Sequence, residues 1–195
     1  MTSMAEKAYA KDLQDAVVIR GSMITELANA HGEFSVKCFD PKGILKWEEE
    51  IKNVVTTVGK NYALDLYLAN TGTFAGPFMG LISSTSWTGV SGSDTMSSHS
   101  GWLESGNANT PTYTAPRKTC LWSVAAAGSK ALSAALSFAI TGAGTVKGCF
   151  IGVGVGAVST IDNTSGILYS AGVFSGGDKT VGNGDTLQVS YTAGL

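Results

Sequence analysis

Between residues 132 and 141 the chain reads LSAALSFAIT. Leu132, Ala134, Leu136, Phe138 and Ile140 alternate with Ser133, Ala135, Ser137, Ala139 and Thr141. A period of two puts the first set on one face of a strand and the second on the other. An apolar strand face must be buried against a second layer, so this alternation constrains the whole chain toward packed sheets. The pattern recurs at both ends of the body. Phe34, Val36 and Cys38 alternate with Glu33, Ser35 and Lys37, and Leu187, Val189 and Tyr191 alternate with Thr186, Gln188, Ser190 and Thr192.

Turns punctuate these runs. Asp40-Pro41-Lys42-Gly43 separates the first strand from ILKWEEEIKNVVT, with Pro41 fixing φ and Gly43 tolerating a positive one. Trp47 is expected to bury in the core, and Val54 and Val55 to continue the apolar strand. TGAG (141–144) leads into TVKGCFIGV, and FMGLIS and GILYSAGVF bring the total to about eight strands. One helix is expected over GKNYALDLYLAN (59–70). There Tyr62, Leu66 and Ala69, and Leu64 and Leu68, repeat at helical spacing, with Thr57 or Asn61 as cap and Asn70 with Gly72 as stop. The expected fold is mainly β: an antiparallel, jelly-roll-like β-sandwich with one short helix.

The domain plan is an N-terminal arm over 1–30 and a sandwich domain over 31–195 carrying a long polar loop, 84–117. Residues 5–19 favour helix without a wide apolar stripe. Fully extended, about 28 residues reach roughly 90 Å. The arm is read as an ordered contact to a partner, as a frayed terminus, or as a helix folded back on the body.

Charge is unevenly spread over the 195 residues. The net charge is −2, which gives no electrostatic argument for nucleic acid or an anionic membrane. Residues 66–195 carry only five Lys/Arg and five Asp/Glu, far below the roughly 25% of ordinary domains. Such a surface suits packing against copies of itself or a larger assembly. Cys38, Cys120 and Cys149 sit in apolar runs and are expected to be buried free thiols. The charged start shows no signal peptide, and the longest apolar run, CFIGVGVGAV, is too short to span a bilayer.

Little in the sequence suggests chemistry. His31 and His99 have no metal-ligand partner at useful spacing and are expected to be exposed loop residues. GVGVGA (152–157) fits a dinucleotide fingerprint formally, but no helix follows to receive a pyrophosphate. On a strand, Glu48 and Glu50 share a face and Glu49 points away, which reads as a solvated polar face. Asp178 and Asp185 flank a Gly-rich turn, where Asp commonly bonds its own backbone. Asn163-Thr164-Ser165, a formal glycosylation sequon, reads only as a turn. No catalytic residue, cofactor or metal is expected. Trp87, Trp102 and Tyr113, in or near the polar loop, form the one candidate contact site. Either they offer an aromatic platform to a sugar or partner, or they plug the loop onto the body or fill a subunit interface.

GILKWEEEIKNVVTTVGKNYALDLYL followed by FMGLIS, and the closing GILYSAGVFSGGDKTVGNGDTLQVSYTAGL, resemble segments of small tailed-bacteriophage virion proteins. The resemblance covers about residues 31–83 and 131–195, leaving out the arm and the loop. It implies a non-enzymatic structural protein, most simply a decoration or cement protein on the capsid surface. The partners it implies are the major capsid protein or other virion proteins, with self-association, for example as a trimer. The alternative it implies is a tail or fibre protein that binds a host-surface glycan.

Overall fold

The computed structural model describes residues 30–69 and 74–194. Eleven strands and one helix follow in the order β1 (His31–Phe39), β2 (Leu45–Val55), α1 (Thr57–Ala69), β3 (Phe78–Ser83), β4 (Thr112–Tyr113), β5 (Lys118–Thr119), β6 (Ser129–Ala131), β7 (Leu136–Gly142), β8 (Gly144–Val153), β9 (Ile167–Val173), β10 (Lys179–Val181) and β11 (Thr186–Gly194). The antiparallel strands run β4-β7-β11-β1-β2-β9-β8-β3-β5, with β6 on β11 and β10 on β8. The fold is mainly β, as the alternations predict, and takes the form of one strongly curled sheet whose two halves face each other as in a sandwich.

β2 makes the corner. Its residues up to Lys52 pair with β1, and Asn53–Val55 pair with β9 in the other half. The turn at 141–144 is a second crossing point, since β7 pairs with β11 while β8 pairs with β3, β9 and β10. Side chains from both halves meet in one core: Phe34, Val36 and Cys38 of β1, Phe138 of β7, Leu187 and Val189 of β11, and Leu81, Cys149 and Ile151 of β3 and β8. The three cysteines are buried and unpaired, as expected.

The period-two reading of 132–141 is right over β7, where Phe138 and Ile140 are buried and Ser137, Ala139 and Thr141 exposed. It fails at 133–135, where the chain bends between β6 and β7 and all three side chains are exposed. Trp47 is half-buried rather than enclosed. Its ring meets Phe174 edge-on and its Nε1 donates to the Thr180 carbonyl at 3.2 Å. Val55 is buried, but Val54 is 42% exposed. The helix cap is Thr56 rather than Thr57 or Asn61. Its Oγ1 accepts from the Gly59 N–H at 3.0 Å and donates to the Leu168 carbonyl, so the cap also ties α1 to β9. Gly59 lies so close to β9 that a Cβ there would sit 2.5 Å from the Tyr169 carbonyl oxygen. The expected helix stop at Asn70 and Gly72, and the arm up to residue 29, lie outside the described residues.

Candidate functional site: the loop over the second layer

Segment 84–117 has little regular structure, yet it is packed. β8 explains why. Cys149 and Ile151 point into the sandwich, and Phe150 points the opposite way; nevertheless every residue from Gly148 to Gly154 is buried. A strand buried on both faces reads as a near-continuous apolar run, and the second cover here is the loop. Met96 and Trp102 descend from it onto Ile82, Phe150, Leu168 and Ala171 to form a separate small core.

Trp102 is therefore fully buried. Its Nε1 donates to Asp94 Oδ2 at 3.0 Å, and its ring lies 5.2 Å from Phe150. His99, expected to be an exposed loop residue, is half-buried and stacked on Trp102 at 3.9 Å, with Nδ1 3.0 Å from the Trp102 carbonyl. Tyr113 is buried against Phe138 in the main core, and burial pushes its phenol pKa up. Neither Trp102 nor Tyr113 offers a face to a sugar. Trp87 is half-buried, with Lys147 Nζ 5.1 Å from its ring centroid. The structure does not gather the three aromatics into one platform: Trp102 and Tyr113 are buried in the body, and Trp87 packs, half-buried, against the small core under the loop.

The loop also carries a feature that sequence reasoning missed. Arg117 and Glu104 form a buried ion pair, with Nε–Oε1 at 2.8 Å and Nη2–Oε2 at 2.6 Å. The guanidinium also donates to the Val158 and Asn163 carbonyls, and Glu104 Oε2 accepts the Asp162 N–H at 2.8 Å. Burial pushes the Glu104 carboxyl up, and Arg117 and the Asp162 N–H pull against it. With both its oxygens engaged, Glu104 serves as a fixed anchor between the loop and residues 158–163. The only trace in the sequence is sparseness: from residue 95 to 129 the charged side chains are Glu104, Arg117 and Lys118 alone, and charges that become buried are paired. Beside the pair lies a mostly apolar cleft of about 220 Å³, walled by Met96, Leu103, Asn109, Phe150 and Thr164.

The remaining candidates have structural partners. Glu48 and Glu50 face solvent, as read. Glu49 instead accepts from the Ser175 hydroxyl and the Gly176 N–H and pairs with Lys179 at 2.8 Å, which holds its carboxyl below the ordinary value. Asp178 pairs with Lys147. Asp185 is buried, accepts from the Gly182 N–H at 2.7 Å as its turn position suggests, and pairs with Lys46 at 2.5 Å. The glycines of GVGVGA end β8 in a turn, with Gly154 and Gly156 at φ 82° and 80°. His31 opens β1 and is exposed. Among the described residues no group of three or more His, Cys, Asp and Glu is placed to hold a metal, and no helix is long and apolar enough to cross a membrane.

The surface itself holds the other candidate. On the outer face of the first half, Ser137 and Ala139 of β7 lie opposite Gln188 and Thr186 of β11, and Thr141, Ser190 and Thr192 extend the patch along the two strands without a charge; on its other side β11 meets the exposed Lys37 and Glu33 of β1, opposite Gln188 and Thr192. Comparisons with protein-family models, with curated proteins and with solved structures find no match to this chain.

Proposed function

We propose that this chain is a non-enzymatic structural component of a tailed-bacteriophage virion, a decoration or cement protein that binds the capsid surface through the outer face of β7 and β11. The observation that carries the reading is that patch of Ser, Thr, Gln and Ala side chains on β7 and β11, bordered on the β1 side by Lys37 and Glu33. Hydroxyl and amide groups cost less to desolvate than charges, provided that they pair across the contact when a neighbour covers them. A lattice repeats each contact many times, so single interfaces can be weak. The resemblance of residues 31–83 and 131–195 to virion proteins points the same way. The partners are the major capsid protein and further copies of this chain, with a trimer suited to a lattice threefold axis.

Quantitative mass spectrometry of purified particles tests the reading. The expected copy number is comparable to that of the capsid protein, and a handful of copies per particle would sink it. A glycan-binding tail or fibre role rests on weaker ground, because Trp102 and Tyr113 are spent on packing.

A further inference from the structure

Asn183-Gly184 is the one Asn-Gly pair in the sequence. Glycine after asparagine is the most labile context that residue can have, because no side chain hinders the glycine nitrogen on its way to the asparagine amide carbon. The nitrogen attacks Cγ and ammonia leaves. The cyclic imide so formed takes up water and opens to aspartate or isoaspartate. Both residues are exposed on the turn that leads into β11, so solvent reaches them. The nucleophile, however, is tied down. The Gly184 N–H donates to the Ile140 carbonyl at 2.8 Å, and the Ile140 N–H donates back to the Asp185 carbonyl at 2.8 Å. The Asp185 N–H closes the turn on the Gly182 carbonyl at 3.1 Å, while Asp185 Oδ2 accepts the Gly182 N–H at 2.7 Å.

We propose that Asn183 is a site of spontaneous deamidation gated by the fold, and that release of the Gly184 N–H from Ile140 is the step that opens it. The turn geometry carries the argument. Gly184 has φ 86° and Asn183 has no positive φ, the pattern of a type II turn. Closing the imide ring requires the peptide plane between the two residues to turn over. That rotation breaks the bond to Ile140 and, with it, the seam between the turn and β7. The Pro41 ring stands against the other side of Gly184, where a Cβ would meet its Cγ at 3.1 Å, so the turn is held from the Asp40–Gly43 side as well. Turns of this kind open locally, at a lower cost than the whole fold. Isoaspartate then adds a carbon to the backbone, and the new charge stands two residues from Asp185, which pairs with Lys46. A turn so altered cannot rebuild its four hydrogen bonds, and a chain that has opened there stays marked. The proposal is independent of the virion reading, which rests on the outer face of β7 and β11.

The test incubates the full chain in mildly alkaline buffer, native and in guanidinium chloride, and follows the peptide holding Asn183 by chromatography and mass spectrometry. The unfolded chain is expected to convert Asn183 to both aspartate and isoaspartate, and the native chain to do so slower by about tenfold or more. Hydrogen exchange of the Gly184 amide in the native protein should show protection. Asp185→Ala removes the acceptor for the Gly182 N–H, so it should bring the native rate closer to the unfolded one. Should that variant fail to fold, the comparison within the parent protein decides alone. Equal rates in the two states, no conversion in the unfolded chain, an unprotected Gly184 amide, or a folded Asp185→Ala variant with an unchanged ratio of rates would overturn the proposal.

Discussion

Arg117 holds Glu104 through two hydrogen bonds, at 2.8 and 2.6 Å, with both side chains at least 95% buried. The guanidinium also lies over the Phe150 ring, 5.3 Å from its centroid. The pair thus joins the loop, the 158–163 turn and the outer face of β8. An ion pair of this kind is weak evidence for net stabilisation, because desolvating both partners offsets their attraction. Removing one partner is a different matter.

Arg117→Met leaves a buried carboxylate without its cation. The expected loss is about 3–5 kcal/mol in equilibrium urea unfolding. Replacing Glu104 by Leu in the same chain should recover part of it. If Arg117→Met alone unfolds within about 1 kcal/mol of the parent, the pair does not anchor the loop.

Trp102 and Trp87 pack on the same small core to different depths. Trp102→Ala empties the small core above β8 and should cost about 3–5 kcal/mol. Trp87→Ala, at a half-buried position, should stay below about 1 kcal/mol. Thermal unfolding of the two variants side by side gives the comparison. Equal losses would mean that the loop is held by something other than Trp102.

The Lys46–Asp185 pair sets a pH dependence. Burial opposes ionisation of Asp185, but the Gly182 N–H and the Lys46 ammonium hold its carboxyl below the usual range. The hydrogen bond to Asp185 raises Lys46 in turn. A lowered acid stabilises the fold above its unfolded value, about 3.9, and that contribution is lost as pH falls through the folded value. A raised base contributes below about 10.4, and its part is lost as pH rises through the folded value. Urea midpoints measured against pH should therefore decline at both ends, with a shallower acid limb in Asp185→Asn. Superimposable acid limbs would remove Asp185 from the explanation.

The three thiols should be silent in the native state. Burial pushes Cys38 up to about 11 and Cys120 up to about 12, and raises Cys149 as well. Thiolate is the reactive form, so an aromatic disulfide reagent should label no cysteine in buffer and all three in concentrated urea. Rapid native labelling at any of them would contradict the buried assignment.

The closing strand cannot be trimmed. β11 lies between β1 on one side and β7 with β6 on the other, and Leu187, Val189 and Tyr191 are buried. Leu187→Ala should cost about 2–5 kcal/mol, and deletion of residues 186–195 should abolish soluble expression. A truncated chain that unfolds cooperatively would show that the core closes without it.

The alternations of β1, β7 and β11 determined which side chains face the core, because a strand's period of two is a local property of the backbone. The Asp40–Gly43 turn was equally legible: Asp40 Oδ1 accepts from the Lys42 and Ile44 N–H groups over four residues of chain. Partnership over long distances was decided only by the tertiary structure. β11 joins β1 across some 150 residues, Thr56 caps its helix while reaching for Leu168, and Trp102 leaves a polar loop for a core completed by Phe150. Whether a tryptophan in a Ser- and Gly-rich stretch is a platform or a plug stays open in the sequence, which shows only its neighbours along the chain; what covers Trp102 comes from a strand about fifty residues away. The paired fate of Arg117 and Glu104 has the same cause. Their charges stand in plain view in the sequence, but the low-dielectric site that forces them together exists only once the loop lies on β8.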